Sequence, residues 1–312
     1  MSRVAVLKGG RSLERQVSLS SGARVEESLR RLGHEVLEVD VGHDLVERLL
    51  ADRPELAFVV LHGRDGEDGT VQELLEALGI PYTGSRVSAC IRASDKVLAK
   101  HAMRDAGIPT PDFFAFSETA FRALGAAQAL PAISSRLEFP IVVKPASQGS
   151  ALGIKFARVQ DDVPTALIAA FSYDRKVLLE RYVAGRELAV SVLEDDGEAR
   201  ALPIVEAVPE ADSFYDFESR YEIGRTRFIC PASLEPGVTA RVQELALEAF
   251  QLLGCSVFAR VDLMLDAASS EPFVLEVNPI PGLTETSLLP QAADSAGIGF
   301  DELIARIVAA AA

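Results

Sequence analysis

The chain has 312 residues, of which 48% are hydrophobic and 25% charged, and its formal net charge is -15. This length allows two or three domains with a substantial core. The negative charge argues against a nucleic-acid partner and against an anionic membrane, because both require a basic surface. No uncharged apolar stretch is long enough to span a bilayer, and the first apolar run is too short for a signal peptide.

The three cysteines, Cys90, Cys230 and Cys255, are widely separated in the sequence. Their spacing matches neither a metal site nor a disulfide framework, which is typical of a reducing compartment. We therefore expect a cytoplasmic protein in which each thiol is a small core side chain.

The first unit, residues 1–92, alternates apolar strands with helices, which indicates an open parallel sheet. Gly9 and Gly10 follow the first strand but lack the spacing of a dinucleotide-binding fingerprint, so a nicotinamide cofactor is not expected. We predict strands at 3–8, 36–41 and 57–61, and helices that end near residue 31 and cover 70–78.

The second unit, residues 93–184, combines helices with a hairpin, which indicates a small α+β domain. We predict a helix at 94–106 and strands at 140–144, 154–157 and 177–180. The third unit, residues 185–312, contains a polar-aromatic segment at 209–227. Its other predicted elements are strands at 187–193 and 201–208, helices at 238–253 and 300–311, and a hairpin between those helices.

Polar side chains interrupt this last hairpin, whose strands are otherwise apolar. Glu276 and Asn278 are two residues apart on one strand and point to the same face, and pairing brings Asp262 of the other strand alongside them. Burial of these groups is costly unless a cation meets them. A magnesium ion that carries phosphate oxygens is the natural counter-charge, and an exposed polar face is the alternative.

The loop 145–153 follows Lys144 at the end of an apolar strand and contains two glycines. Flexible backbone N–H groups beside a cation suit a polyphosphate. The alternative is an ordinary hairpin turn whose lysine reaches water. The loop is not a P-loop, because no Gly-Lys-Ser/Thr closes it.

Two segments of the first unit allow both a structural and a functional interpretation. Glu14 begins the first helix, where it either holds an ammonium group or is a solvated acid supported by the helix dipole. Segment 62–69 follows a strand, where parallel sheets form their ligand sites. It either approaches a ligand closely or caps the helix that begins at Thr70.

Seven segments together resemble the D-alanine–D-alanine ligases of the ATP-grasp superfamily, over nearly the whole chain. They are 9–19 (GGRSLERQVSL), 62–69 (HGRDGEDG), 94–96 (SDK), 144–150 (KPASQGS), 214–221 (FYDFESRY), 260–262 (RVD) and 276–284 (EVNPIPGLT). The resemblance implies three domains of α/β and α+β type: an N-terminal domain (1–92) with an open parallel sheet, and a central (93–184) and a C-terminal (185–312) ATP-grasp domain that hold the nucleotide between them.

The family joins two D-alanines with ATP for peptidoglycan synthesis, through an acyl phosphate that the second amine attacks. The resemblance therefore implies ATP and D-alanine as substrates, two Mg²⁺ ions for which Mn²⁺ can substitute, and a homodimer. The two ions would be held by Asp262, Glu276 and Asn278, with Glu276 as the bridge.

The remaining roles are also implied by the resemblance. Lys96 and Lys144 would hold the α- and β-phosphates, and the Ser150 loop would cover them. The other nucleotide contacts would come from Glu180, Tyr182, Val183, Glu187, Phe214 and Arg220. Arg260 and the N–H of Gly282 would stabilise the tetrahedral oxyanion.

The substrate contacts follow from the same resemblance. Glu14 would pair with the ammonium of the first D-alanine, with Ser150 and Tyr221 linked to it by hydrogen bonds. Ser287 would bind the second carboxylate. His62 would lie near the first substrate without an assigned proton-transfer role.

Some positions differ from the common family pattern, and two other functions stay open. Ala151 stands where a second serine is usual, and Arg220 replaces a common lysine, which keeps the charge but changes its geometry. A related ligase would make D-alanyl-D-lactate or D-alanyl-D-serine, although the phenol of Tyr221 favours an amine acceptor. A nucleotide-binding regulator without catalysis is disfavoured by the intact metal and phosphate residues.

Residues 209–227 are long for a connection and carry four aromatic side chains, which a solvated linker rarely does. An acyl phosphate exposed to water would hydrolyse, so a cover benefits the reaction. We predict a lid that orders when nucleotide and D-alanine are both bound. Hydrogen exchange of residues 212–224 should slow strongly once an ATP analogue and D-alanine are added. Equal, strong protection with and without ligands would identify a fixed element instead.

Overall fold

The computed structural model describes residues 2–209 and 226–311. Phe214, Arg220 and Tyr221, and with them most of the predicted lid, lie outside the described residues. The strands are β1 (Arg3–Lys8), β2 (Glu35–Asp40), β3 (Leu56–Val59), β4 (Phe113–Ser117), β5 (Ile141–Pro145), β6 (Lys155–Ala157), β7 (Lys176–Arg181), β8 (Gly185–Asp195), β9 (Glu198–Ala201), β10 (Val205–Pro209), β11 (Thr226–Ile229), β12 (Phe258–Asp266) and β13 (Pro272–Asn278).

The α-helices are distributed along the whole described chain. They are α1 (Arg15–Arg31), α2 (Leu45–Asp52), α3 (Thr70–Leu78), α4 (Val87–Ser94), α5 (Lys96–Asp105), α6 (Glu118–Ala123), α7 (Leu130–Leu137), α8 (Val163–Phe171), α9 (Pro236–Leu253), α10 (Leu288–Ser295) and α11 (Phe300–Ala311). Within the ranges that the structure describes, no helix is long and apolar enough to cross a membrane.

The first sheet is parallel, as predicted, and its strand order is β2-β1-β3. The central strand β1 is buried from Val4 to Leu7, which explains its continuous apolar run. Helix α2 was not predicted, although its buried Leu45 and Leu49 have helical spacing.

Two sequence predictions need correction. The predicted helix at 94–106 corresponds to α5 but is interrupted at Asp95, which is extended and whose side chain accepts hydrogen bonds from the first N–H groups of α5. Its first residue, Ser94, instead ends α4, a helix that was not predicted. The predicted strand at 201–208 is also divided. Strands β9 and β10 pair with successive parts of β8, and Pro203, which has no N–H to donate, lies in the gap.

The other two sheets are antiparallel. Strands β4-β7-β5-β6 form one sheet, which has its own core with α7 and α8. Strands β11-β10-β8-β12-β13 form the other, with β9 alongside β8. Phe58 of the first sheet and Phe258 of the third belong to one buried cluster, which α10 and α11 complete. The first and third sheets therefore share one core, while the domain boundaries at 92/93 and 184/185 remain a prediction.

Candidate active site

The hairpin of β12 and β13 brings the predicted polar residues together. Asp262 lies opposite Glu276, and Arg260 lies opposite Asn278. The register shifts directly after the Asp262–Glu276 pair, so Leu275 is the extra residue of a bulge, a device that re-aims side chains beside functional sites. The Nδ2 of Asn278 donates to Oδ2 of Asp262 at 3.1 Å.

Two cations neutralise the carboxylates of this hairpin. The guanidinium of Arg260 donates to both oxygens of Asp262, at 2.6 and 2.7 Å. The Nζ of Lys96 lies 3.0 Å from Oε2 of Glu276 and donates to the carbonyl of Gln148 at 2.9 Å. Burial opposes the charge on Lys96, but Glu276, together with Glu67 and Glu14, outweighs burial and raises the pKa of Lys96. The lysine thus stays charged and links the hairpin to the glycine loop.

The donor atoms of the hairpin fit a magnesium site. Two carboxylates and an amide oxygen are the hard ligands that Mg²⁺ prefers, usually together with waters and substrate phosphates. The described parts of the chain contain no group of three or more His, Cys, Asp and Glu side chains that could hold a metal alone. Any ion bound here therefore needs ligands from phosphate or water.

Glu14 is buried, with 5% of its surface exposed, so the interpretation as a solvated helix acid is wrong. Its Oε1 accepts a short hydrogen bond from the hydroxyl of Ser150. Its Oε2 is buried and has no hydrogen-bond partner among the described residues. Burial, and then the nearby carboxylate of Glu67, raise the pKa of Glu14, although the Ser150 hydrogen bond opposes the shift. A buried orphan oxygen is costly unless a ligand supplies a donor.

A cleft with about 580 Å³ of empty space lies against this carboxylate. Substrate and oxyanion residues predicted from the sequence line it together: Glu14, His62, Ser150, Arg260, Gly282 and Ser287. A second cleft beside it, with about 930 Å³, is lined by Lys96, the loop 147–149 and the strand end at Glu276 and Asn278. The two clefts share Glu67, Gly149 and Asn278, so the substrate and phosphate regions adjoin.

The sequence allows segment 62–69, which begins with His62, either to approach a ligand or to cap the helix at Thr70, and the structure is compatible with both roles. The His62 ring contacts the carbonyl oxygen of Ile280 through Nδ1 at 3.1 Å and the hydroxyl of Ser21 through Nε2 at 3.4 Å. Glu67 lies 3.6 Å from Nδ1. The same segment ends in Gly69, which precedes α3 with φ = 95°. It therefore both starts a helix and lines the cleft.

Gly282 and Ser287 lie at the far end of the cleft. A side chain at Gly282 would come within 2.6 Å of the Ser287 hydroxyl, so the close approach requires glycine. Ser287 precedes α10, and its hydroxyl accepts from the N–H of Thr284 at 3.0 Å.

Lys144 lies one residue before the end of β5, close to its predicted position, and its Nζ donates to Oε1 of Glu180 at 2.6 Å. The other oxygen of Glu180 lies 2.6 Å from Nζ of Lys100, a residue that the sequence interpretation missed. The only signal was its position four residues after Lys96, on the same face of α5. Tyr182, predicted to contact the nucleotide, packs edge-on against Phe156. The predicted nucleotide residue Val183 is buried in the β7–β8 connection, and Glu187 lies near the start of β8.

Comparison with known proteins decides the family. Family models match the chain over residues 102–309 (D-ala D-ala ligase C-terminus) and residues 46–85 (D-ala D-ala ligase N-terminus). A D-alanine–D-alanine ligase of Syntrophotalea carbinolica is 44% identical over 309 residues, which are 99% of this chain and 96% of the relative. The chain belongs to the D-alanine–D-alanine ligase family.

Other relatives agree with this result. The D-alanine–D-alanine ligase of Moorella thermoacetica is 42% identical over 306 residues, 98% of each chain. The crystal structure of the D-alanine–D-alanine ligase from Bacillus anthracis matches with a TM-score of 0.84 at 34% identity, covering 100% of this chain and 97% of that one. The predicted fold class is thereby confirmed.

The orphan oxygen of Glu14 generates a stability prediction for this ligase-family chain. A glutamate whose folded pKa is raised makes its full contribution to stability below the ordinary pKa of 4.5 and loses that contribution as pH rises through the folded pKa. Glu14→Gln should therefore raise the thermal stability of the ligand-free protein at neutral pH, with a smaller gain near pH 4.5. Thermal unfolding at both pH values measures this difference.

Glu27→Gln on the exposed face of the same helix is the matched control and should leave stability nearly unchanged. A Glu14→Gln protein that is less stable than the parent at neutral pH would show that the ionised carboxylate is compensated in the folded protein.

Proposed function

We propose that this protein joins two D-alanines into D-alanyl-D-alanine, with ATP converted to ADP and phosphate, for peptidoglycan precursor synthesis. Full-length similarity to D-alanine–D-alanine ligases supports the reaction class. The single observation that carries the proposal is the buried, unpartnered Oε2 of Glu14 beside the cleft. This oxygen needs a cationic donor, and the ammonium of a first D-alanine supplies one.

The first D-alanine is proposed to lie with its ammonium on Glu14 and its carboxylate toward Arg260. A carboxylate is a poor electrophile, and transfer of the γ-phosphoryl group gives it a leaving group. Ser150 fixes the orientation of Glu14 through their hydrogen bond. The free amine of the second D-alanine, whose carboxylate is assigned to Ser287, then attacks the acyl phosphate, and phosphate leaves.

The nucleotide is proposed to lie beside Lys96 and Lys144, below the loop that contains Ser150. Each ammonium has three donors and keeps donors for phosphate oxygens after its ion pair with a glutamate. Backbone groups at Tyr182 and Val183 are assigned to adenine and Glu187 to the ribose. Glu180 is also assigned to adenine, since a carboxylate oxygen can accept a second hydrogen bond. Phe214 and Arg220 complete the assignment.

Asp262, Glu276 and Asn278 are proposed to hold two Mg²⁺ ions, with Glu276 between them, and Mn²⁺ can substitute. Bound there, the ions would neutralise charge on the phosphates. Arg260 has a second task, because its guanidinium, together with the N–H of Gly282, is assigned to the oxyanion of the tetrahedral intermediate. We further propose that the protein is cytoplasmic and forms a homodimer. Sedimentation of the purified protein tests the dimer.

A coupled assay of ADP release tests the reaction. The purified protein receives ATP, Mg²⁺ and one of D-alanine, L-alanine, D-alanine with D-serine, or D-alanine with D-lactate, and mass spectrometry identifies the products. We expect D-alanyl-D-alanine to dominate at neutral pH. A dominant ester product or a D-serine product would assign the chain to the related ligases. Absence of ADP release with every substrate would favour a nucleotide-binding regulator.

Glu276→Gln keeps the size of the side chain and removes one negative charge. Repulsion between two cations is then less shielded, and Lys96 loses its ion-pair partner. We expect turnover to fall at least about a hundredfold, on the scale of a lost charge-stabilising group. Thermal stability should change little. The control Glu271→Gln alters an exposed position of the same hairpin and should keep parental turnover. If Glu276→Gln turns over at close to the parental rate, Glu276 does not bridge the two ions.

A further inference from the structure

A buried cluster of three charges lies behind the proposed phosphate site. The carboxylate of Glu180 on β7 lies between two ammonium groups, 2.6 Å from Lys144 on β5 and 2.6 Å from Lys100 on α5. None of the three side chains is more than 7% exposed. Low exposure keeps water from screening these charges, so each responds strongly to the others.

Lys100 is fully buried, and its ammonium group contacts several neighbouring side chains. Its side chain has no exposed surface, and its ammonium donates to the hydroxyl of Thr110 and lies 5.2 Å from the ring centre of Phe113. Thr110 in turn donates to the carbonyl of Val274 at 2.8 Å, beside the bulge of β13. Lys100 therefore has one fixed position, and it reaches the nucleotide region only through Glu180.

The charge of the cluster depends on Lys100. With all three groups ionised, two ammonium groups and one carboxylate give a net charge of +1. Without the charge on Lys100, Glu180 neutralises Lys144 completely. Lys144 is one of the two lysines assigned to phosphates. Loss of the charge on Lys100 therefore weakens the attraction of this site for an anion.

We propose that Lys100 is a positioning residue that sets the positive charge of the nucleotide site through Glu180, so that nucleotide binds tightly only while Lys100 is protonated. The inference rests on the proposed function, because it assigns Lys144 to the phosphates of ATP. Lys100 itself touches no nucleotide.

The pKa of Lys100 defines the pH range over which it can have this role. Burial, opposed by Glu180 and reinforced by Lys144, lowers the pKa of Lys100 from 10.5 to about 8. The other ionisable group that acts on it is Asp112, before β4, which favours the charged form. Lys100 is therefore charged below about pH 8 and neutral above it, and nucleotide affinity should fall as pH rises through this value.

Binding of ADP with Mg²⁺, measured by titration calorimetry between pH 7 and pH 9.5, tests the proposal. ADP phosphates stay ionised over this range, and the absence of D-alanine removes the titration of its amine. We expect the dissociation constant of the parent to rise on the order of tenfold across the range. Above pH 8, binding of ADP should be coupled to uptake of a proton. The measured binding enthalpy should then depend on the ionisation enthalpy of the buffer.

Two substitutions separate charge from packing. Lys100→Arg keeps a charge that cannot titrate here, so affinity should stay near the low-pH parental value without an inflection or proton uptake. Lys100→Met removes the charge, so affinity should be weak at every pH, again without an inflection. Lys8→Met is the matched control, because Lys8 is a partly buried lysine that also contacts two glutamates but belongs to the first sheet. It should keep the parental profile.

The outcomes distinguish this inference from the proposed function. A parent that does not bind ADP at pH 7 contradicts the proposed function itself. A parent that binds ADP with the same affinity and no proton uptake from pH 7 to pH 9.5 overturns the role of Lys100 alone. So does a Lys100→Arg protein that retains the parental inflection. If Lys100→Met does not fold, the parent and Lys100→Arg still decide the question.

Discussion

Compensation of buried negative charge is the constraint on which the cleft depends. Carboxylates that are removed from water are costly unless cations or donors meet them. Three carboxylates of the proposed nucleotide and metal region have cationic partners: Arg260 for Asp262, Lys96 for Glu276, and Lys100 with Lys144 for Glu180. Three of these cations, Arg260, Lys96 and Lys144, are also the groups to which we assign phosphate and oxyanion contacts. Ligand binding then exchanges ionic partners among groups that the fold already holds in position.

Helix α5 connects the parts of this arrangement. Lys96 and Lys100 lie one turn apart, and they reach the hairpin carboxylate Glu276 and the sheet carboxylate Glu180 respectively. Asp95 fixes the start of the helix by capping it and by an ion pair of 2.9 Å with Lys176 on β7. A displacement of α5 would therefore change the glycine loop, the hairpin and the buried charge cluster together.

Several local features cost stability and make sense only with a ligand. Glu14 carries a buried oxygen without a donor among the described residues. Ser150 and Ala151 both adopt left-handed backbone conformations, with φ of 52° and 57°, which are unfavourable for residues other than glycine. Such strain concentrates at functional sites and is tolerated because the surrounding fold determines it. The departure at Ala151 removes a hydroxyl but preserves the loop backbone that a phosphate would contact.

The sequence by itself determined the strand–helix alternation, the hairpin that carries Asp262, Glu276 and Asn278, and the family, because these depend on local periodicity and on motifs. It did not determine that α5 begins at Lys96 after the cap Asp95, or that the strand predicted at 201–208 divides at Pro203, which lacks an N–H. Only the tertiary structure decided that Glu14 is buried and that Lys100 completes the charge of Glu180. Burial and ionic partners depend on which segments meet in space, and Lys100 and Glu180 are 80 residues apart in the chain.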